Sequence, residues 1–196
     1  MKKTILIILG LLLLVALFAE PVVATYTMTG VKMDVEAASD GKLFVSVNSN
    51  KTFVDKPFLI LPASDVEVFR GELMVLKNKY IEWKDTAEKN NVTELTKIMP
   101  GFENLTVRFG WMFGGYNFSK TSCTMTPIFS VNNGVYGVGM VIPEQVSSSN
   151  QFMKWDRDVV MLFVSPAEIQ SLYDATCPSK VKDAYDAANK KDDMFK

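Results

Sequence analysis

The chain has 196 residues, with 21 lysines and arginines against 22 aspartates and glutamates, a net charge of −1, and no histidine. The missing histidine excludes Ser-His-Asp and Cys-His hydrolases, histidine-ligated zinc and acid–base catalysis by histidine. The near-neutral charge argues against nucleic acid or an anionic membrane surface as a partner, since both favour a basic protein.

The first 24 residues have the pattern of a secretory signal peptide. Two lysines precede an apolar run over residues 5–19, and small residues follow. We predict cleavage after Ala24, with cleavage after Ala19 as the alternative. Retention as an uncleaved anchor is the competing interpretation, but a spanning helix needs about 20 apolar residues and this run is shorter.

This signal sets the predicted compartment and the domain organisation. We expect residues 25–196 to form a single compact domain outside the cytoplasm, in the periplasm, at the cell surface or in the secreted fraction. Contact with the membrane is expected only through the signal segment, if that segment is not removed.

The chain contains two cysteines, Cys123 and Cys177. In an oxidising compartment an isolated pair most simply forms a disulfide bond, so we predict a Cys123–Cys177 bridge. The alternative is a pair of buried thiols.

The first predicted structural elements after the signal are strands. Residues 31–37 and 42–47 alternate around Asp40-Gly41, a dipeptide typical of hairpin turns. A second turn is predicted at residues 48–51, and residues 58–61 are predicted to form a short buried strand.

A long amphipathic helix is predicted next, ending near Asn90. Ser64 and Glu67 have the spacing of a capping box at its start. Seven apolar residues recur every three or four positions and therefore share one face. They are Val66, Phe69, Leu73, Leu76, Tyr80, Trp83 and Ala87.

The second half of the chain alternates strands, turns and helices. The complete pattern predicts an α+β fold, with an antiparallel sheet of about six or seven strands packed under the long helix and shorter C-terminal helices. The predicted elements are a short helical turn over 91–99, strand 105–113, a hairpin of 124–131 and 135–142, strand 158–164, a helix capped by Ser165 and ending near Cys177, and a last helix over 179–191.

Aromatic residues are concentrated around residues 109–118. Alternation places Phe109, Trp111 and Phe113 on one face of a strand, where a hydrophobic core is the usual explanation. Tyr116 and Phe118 follow the turn at 114–115, so we predict these two as the candidate binding surface.

No motif of a known catalytic, metal-binding or cofactor-binding site is present in the sequence. We therefore expect an exported, non-enzymatic binding domain without a cofactor, whose partner is a macromolecule or a small ligand of unknown identity. One alternative is a glycan hydrolase that uses carboxylates such as Asp156 and Asp158. Another is an inhibitor of a secreted enzyme that presents Tyr116, Phe118 or the 144–150 loop.

Overall fold

The computed structural model of the chain describes residues 20–47, 57–100, 106–114 and 116–193. The predicted turn at 48–51 and the apolar part of the signal lie outside these residues. In chain order the described elements are β1 (Val22–Met28), β2 (Val31–Ala37), β3 (Leu43–Ser46), β4 (Pro57–Leu61), α1 (Val66–Lys89), β5 (Glu94–Ile98), β6 (Thr106–Phe113), β7 (Tyr116–Thr124), β8 (Thr126–Asn132), β9 (Val135–Ile142), β10 (Gln145–Val146), β11 (Lys154–Trp155), β12 (Val159–Phe163), α2 (Pro166–Ala175) and α3 (Pro178–Asp193).

The strands form two antiparallel sheets and a short ribbon. One sheet has six strands in the order β1-β2-β3-β4-β6-β7, and the other has four in the order β12-β9-β8-β5. Strands β10 and β11 pair with each other. The predicted α+β class, with one long helix and shorter C-terminal helices, is confirmed.

Both predicted hairpins form. Strands β2 and β3 pair across the Asp40-Gly41 turn, where Gly41 has a φ of +79°. Strands β8 and β9 pair across Asn133 and Gly134, whose φ values of 49° and 76° are the left-handed pair that a tight two-residue turn requires.

Helix α1 places its predicted apolar face in the core. Six of the seven residues are buried and Trp83 is partly buried. Near its C-terminal end this face packs on the four-stranded sheet, where the rings of Tyr80 and Trp83 both lie against Phe129. Periodicity alone was sufficient here because a helix of this length has to bury its one apolar stripe.

The capping box predicted for α1 is wrong. Asp65 occupies the N-cap position, and no side chain caps the first turn. The Ser64 hydroxyl donates instead to Asp65 at 2.6 Å, and the Glu67 carboxylate accepts from Arg70 Nη1 at 2.9 Å. Arg70 is buried and stacks on the Tyr173 ring. The Glu67 carboxylate therefore forms an ion pair with this guanidinium and does not accept from the helix amides.

Strands β1, β5, β7, β10 and β11 were not expected. Residues 94–98, within the predicted helical turn, form β5, an edge strand whose five side chains are all exposed. Residues 116–124, which are mostly polar, form β7. Backbone hydrogen bonds hold β5 against β8 and β7 against β6. Such pairing does not require an alternating pattern of apolar side chains, so the sequence did not indicate it.

Helices α2 and α3 pack on β1, at one edge of the six-stranded sheet. Helix α2 begins as predicted, with Ser165 Oγ accepting the amide N–H of Glu168 at 3.3 Å. Side chains of α2 also satisfy amides around β1, because Ser171 accepts from Thr27 and Glu168 from Gly30. This edge of the sheet is therefore closed by a helix.

The predicted Cys123–Cys177 bridge is wrong, because both cysteines are free thiols. Cys123 lies on β7, and Cys177 precedes α3, which packs on β1. Strands β1 and β7 are the opposite edges of the six-stranded sheet, whereas a disulfide needs Cα atoms within about 7 Å. Export context favoured a bridge, but the topology separates the two residues.

The two thiols should differ strongly in reactivity. Burial raises the pKa of the Cys123 thiol to about 11, whereas a hydrogen bond with the Ser179 hydroxyl and another from the Lys180 amide lower the pKa of Cys177. Because the thiolate is the nucleophile, iodoacetamide at neutral pH should add once to the folded protein, at Cys177, and a second time only after denaturation. Intact mass spectrometry would follow both additions.

The Cys177→Ser variant is the control for this experiment, and it should lose the rapid addition. Equal rates at both positions, or no alkylation of the unreduced protein even after denaturation, would contradict the assignment of two free thiols in different environments.

Candidate ligand-binding site

A cavity of about 380 Å³ lies between the β2–β3 turn, the start of α1 and the first turns of α3. Its volume is within the range typical of small-molecule sites. Its lining residues come from three segments that are distant in sequence. They are Ala37, Ala38, Ser39, Asp40, Gly41, Leu43, Ala63, Val66, Pro178, Val181, Lys182, Tyr185 and Asp186.

The β2–β3 turn forms one wall of this cavity because of its glycine. Gly41 has a positive φ, which other residues rarely adopt, and a Cβ atom there would lie 3.3 Å from the Cβ of Ala63. The turn can therefore approach the start of α1 closely, with two small residues in contact. This close approach places Asp40 at the edge of the cavity.

Helix α3 forms the opposite wall. Residues four positions apart lie on the same side of a helix. This applies to Val181 with Tyr185 and to Lys182 with Asp186, and all four line the cavity. Val181 is buried in the core, and Tyr185 packs partly against it. The charged pair lies further out, at the rim.

The floor of the cavity is apolar and its rim is polar. Leu43, Val66 and Val181 are buried, and all three line the cavity. Ser39, Asp40 and the Lys182–Asp186 pair provide the polar atoms. Such a division suits a ligand with an apolar body and one polar end.

The ionisable side chains that line the cavity carry a net negative charge, with two carboxylates and one ammonium group. The Lys182 ammonium donates to Asp186 at 2.6 Å, and this bond raises the pKa of Lys182. Lys42, outside the cavity, donates to Asp40 at 3.0 Å and lowers the pKa of that carboxyl. Each of the two carboxylates is thus paired with a lysine, as Lys182 is with Asp186, and the preference of the rim for a cation rests on the excess of one carboxylate among the lining residues.

A second, smaller cavity of about 230 Å³ lies between β4, the start of α1 and β6. It includes Ile60, Val68 and Thr106, and Asp65 is its single ionisable lining residue. Residue 106 directly follows residues outside the described part of the chain. Of these two cavities, the larger is therefore the candidate ligand-binding site.

The predicted aromatic surface, Tyr116 and Phe118, is separate from both cavities. Tyr116, at the start of β7, is 73% exposed, whereas Phe118 is partly buried with its ring 6.2 Å from that of Trp111. The 144–150 loop lies beside the same strand, because the Ser148 amide donates to the Ser119 carbonyl at 2.8 Å. The structure thus brings together the elements that the inhibitor hypothesis invoked, and inhibition stays a prediction.

The acidic residues proposed for a hydrolase lie on the surface. Asp156 and Asp158 are both exposed, just before β12, and neither lines the two cavities described above. Within the described ranges, no group of three or more acidic or cysteine side chains is arranged to hold a metal ion. Catalysis by these carboxylates also stays a prediction.

The cavity residues were missed in the sequence. Asp40 and Gly41 were recognised only as a turn, and Lys182 and Asp186 only as part of a final helix. No local signal relates positions about 140 residues apart, so the sequence alone offered no means of finding this site.

Across the described residues, none of the three helices has the length and hydropathy of a membrane-spanning segment. Comparison of the chain with models of protein families, with curated proteins and with solved structures finds no match.

Proposed function

We propose that this chain is an exported binding domain whose ligand is a small molecule with an apolar body and a single positively charged group. The observation that carries the proposal is the 380 Å³ cavity, with its apolar floor and its net negative rim. Export is supported by the N-terminal pattern of two lysines followed by the apolar run over residues 5–19.

The affinity of such a ligand would come mainly from its apolar part. Each buried methylene contributes about 0.8 kcal/mol, so a chain of several carbons on the floor of the cavity can offset the entropy lost on binding. The charged group would contribute less, because Asp40 and Asp186 lie near solvent. Its role would be to orient the ligand with the cation at the rim.

The proposal predicts a preference among three probes with the same alkyl chain. Titration of the purified protein in a calorimeter should show that n-octylammonium binds more tightly than n-octanol, and that n-octanoate binds most weakly. The order follows from the charge of the rim. Absence of binding by all three probes, or a preference for octanoate, would overturn the proposal.

A substitution at the rim tests the role of charge. Asp186→Asn should weaken octylammonium binding by about fivefold, the size expected for a partly solvated ion pair, and leave octanol unchanged. Asp183→Asn is the matched control, because Asp183 is also an exposed carboxylate of α3 but does not line the cavity.

A further inference from the structure

We infer that the signal is removed by hydrolysis of the Ala19–Glu20 peptide bond, and that the mature protein begins at Glu20. The inference rests on the proposed export. A signal peptidase of the export machinery would catalyse the step, in which water supplies the hydroxyl of the new Ala19 carboxyl group and the proton of the new Glu20 amine.

The first observation is that the folded domain begins before residue 25. Strand β1 starts at Val22 and pairs with β2 along its length apart from Val23, with Val22 opposite Glu36 and Ala24 opposite Val35. Cleavage after Ala24 would remove the first three of the seven residues of this strand. Cleavage after Ala19 would leave the strand complete.

The residues before the strand are also engaged. The Pro21 carbonyl accepts the amide N–H of Ala37 at 3.1 Å, and Ala37 is a buried core residue. A chain that began at residue 25 would leave this amide without its acceptor, and a buried unpaired amide is destabilising. Val23 and Ala24 are partly buried and pack against the core.

A third observation concerns the irregular pairing within this stretch. The register of β1 and β2 shifts between Val22 and Ala24, so that Val23 is an extra residue in the ladder. Bulges of this kind bend and twist an edge strand and are built into a fold rather than accidental. The bulge exists only if residues 22–24 remain in the mature protein.

Both candidate sites offer the small residue that a signal peptidase requires before the cut. At the third position before the cut Val22 is smaller than Leu17, so local sequence favours Ala24, whereas the pairing of residues 21–24 favours Ala19. An apolar run that ends at Ala19 is also followed directly by the charged Glu20, which places the cut at the boundary of the apolar segment.

The test is the N-terminus of the exported protein. The full chain would be expressed in a bacterial host, recovered from the extracytoplasmic fraction, and examined by N-terminal sequencing and intact mass. A chain that starts at Glu20 supports the inference. A chain that starts at Thr25 overturns the inference and leaves export standing, whereas a chain that keeps residues 1–19 overturns both the inference and the removal of a signal.

Two matched variants sharpen the result. Ala19→Leu places a bulky residue before the inferred cut and should abolish formation of the Glu20 N-terminus, so that unprocessed chain accumulates. Ala24→Leu makes the same change before the alternative cut and should leave the Glu20 N-terminus unchanged. The opposite pattern, with processing blocked only by Ala24→Leu, would assign cleavage to Ala24.

Discussion

Replacement of Glu168 by alanine is expected to lower the free energy of unfolding by about 3 kcal/mol, because a buried carboxylate that accepts two amides would be lost. Glu168 is 8% exposed, and its two oxygens accept from Gly30 at 2.9 Å and from Val164 at 2.7 Å. One side chain of α2 therefore holds the β1–β2 turn and the end of β12.

The same residue belongs to a larger polar network. The Tyr80 hydroxyl of α1 lies 3.0 Å from the Val164 carbonyl, so Val164 joins Tyr80 to Glu168. Burial, with a smaller contribution from the charge of Glu168, raises the pKa of Tyr80 to about 12. Loss of Glu168 would leave two amides without acceptors at the point where α1, α2 and both sheets meet.

Urea unfolding followed by circular dichroism would measure the effect of Glu168→Ala, and Glu82→Ala is its control. Glu82 is an exposed residue of α1, and its replacement should change stability by less than about 0.5 kcal/mol. Glu168→Gln should also be destabilising, because its amide nitrogen would face one of the two amide donors. Equal stability of the Glu168→Ala and Glu82→Ala variants would show that the network contributes little.

Obstruction of the cavity gives the second large expected effect. Ala63→Trp should weaken binding of n-octylammonium by at least about tenfold, which corresponds to about 1.4 kcal/mol. Ala63 is exposed and lines the cavity opposite Gly41. An indole at this position would occupy the volume that the alkyl chain needs.

The control for Ala63→Trp is Ala187→Trp, since Ala187 is an exposed alanine of α3 that does not line the cavity. This variant should bind the probe as the original protein does. Both variants should show unchanged circular dichroism spectra and unfolding midpoints, which separates obstruction from misfolding. Binding that survives in a folded Ala63→Trp variant would place the ligand elsewhere.

Some elements could be predicted from local patterns because local geometry determines them. The face of α1 follows from helical periodicity, and the Asn133-Gly134 turn follows from the ease with which these two residues adopt positive φ. Ser165 and Pro166 marked the start of α2 for the same kind of reason. In each case the decisive interaction lies within a few residues.

Other predictions failed where a contact with a residue distant in sequence decides the local arrangement. Glu67 was assigned to the helix cap, but Arg70 is held in place by Tyr173 of α2 and takes the carboxylate instead. The β5 segment looked helical because its five exposed side chains carry no strand pattern, and pairing with β8 decides its conformation.

The sequence by itself determined the α+β class, the long helix, the hairpins and the exclusion of histidine chemistry, because residue type and periodicity act locally. The tertiary structure decided which residues meet. It separated Cys123 from Cys177 across the six-stranded sheet, extended the folded domain to Val22, and joined the β2–β3 turn to α3 around a cavity. These outcomes depend on the pairing of strands and the packing of helices across the whole chain, and no short segment encodes them.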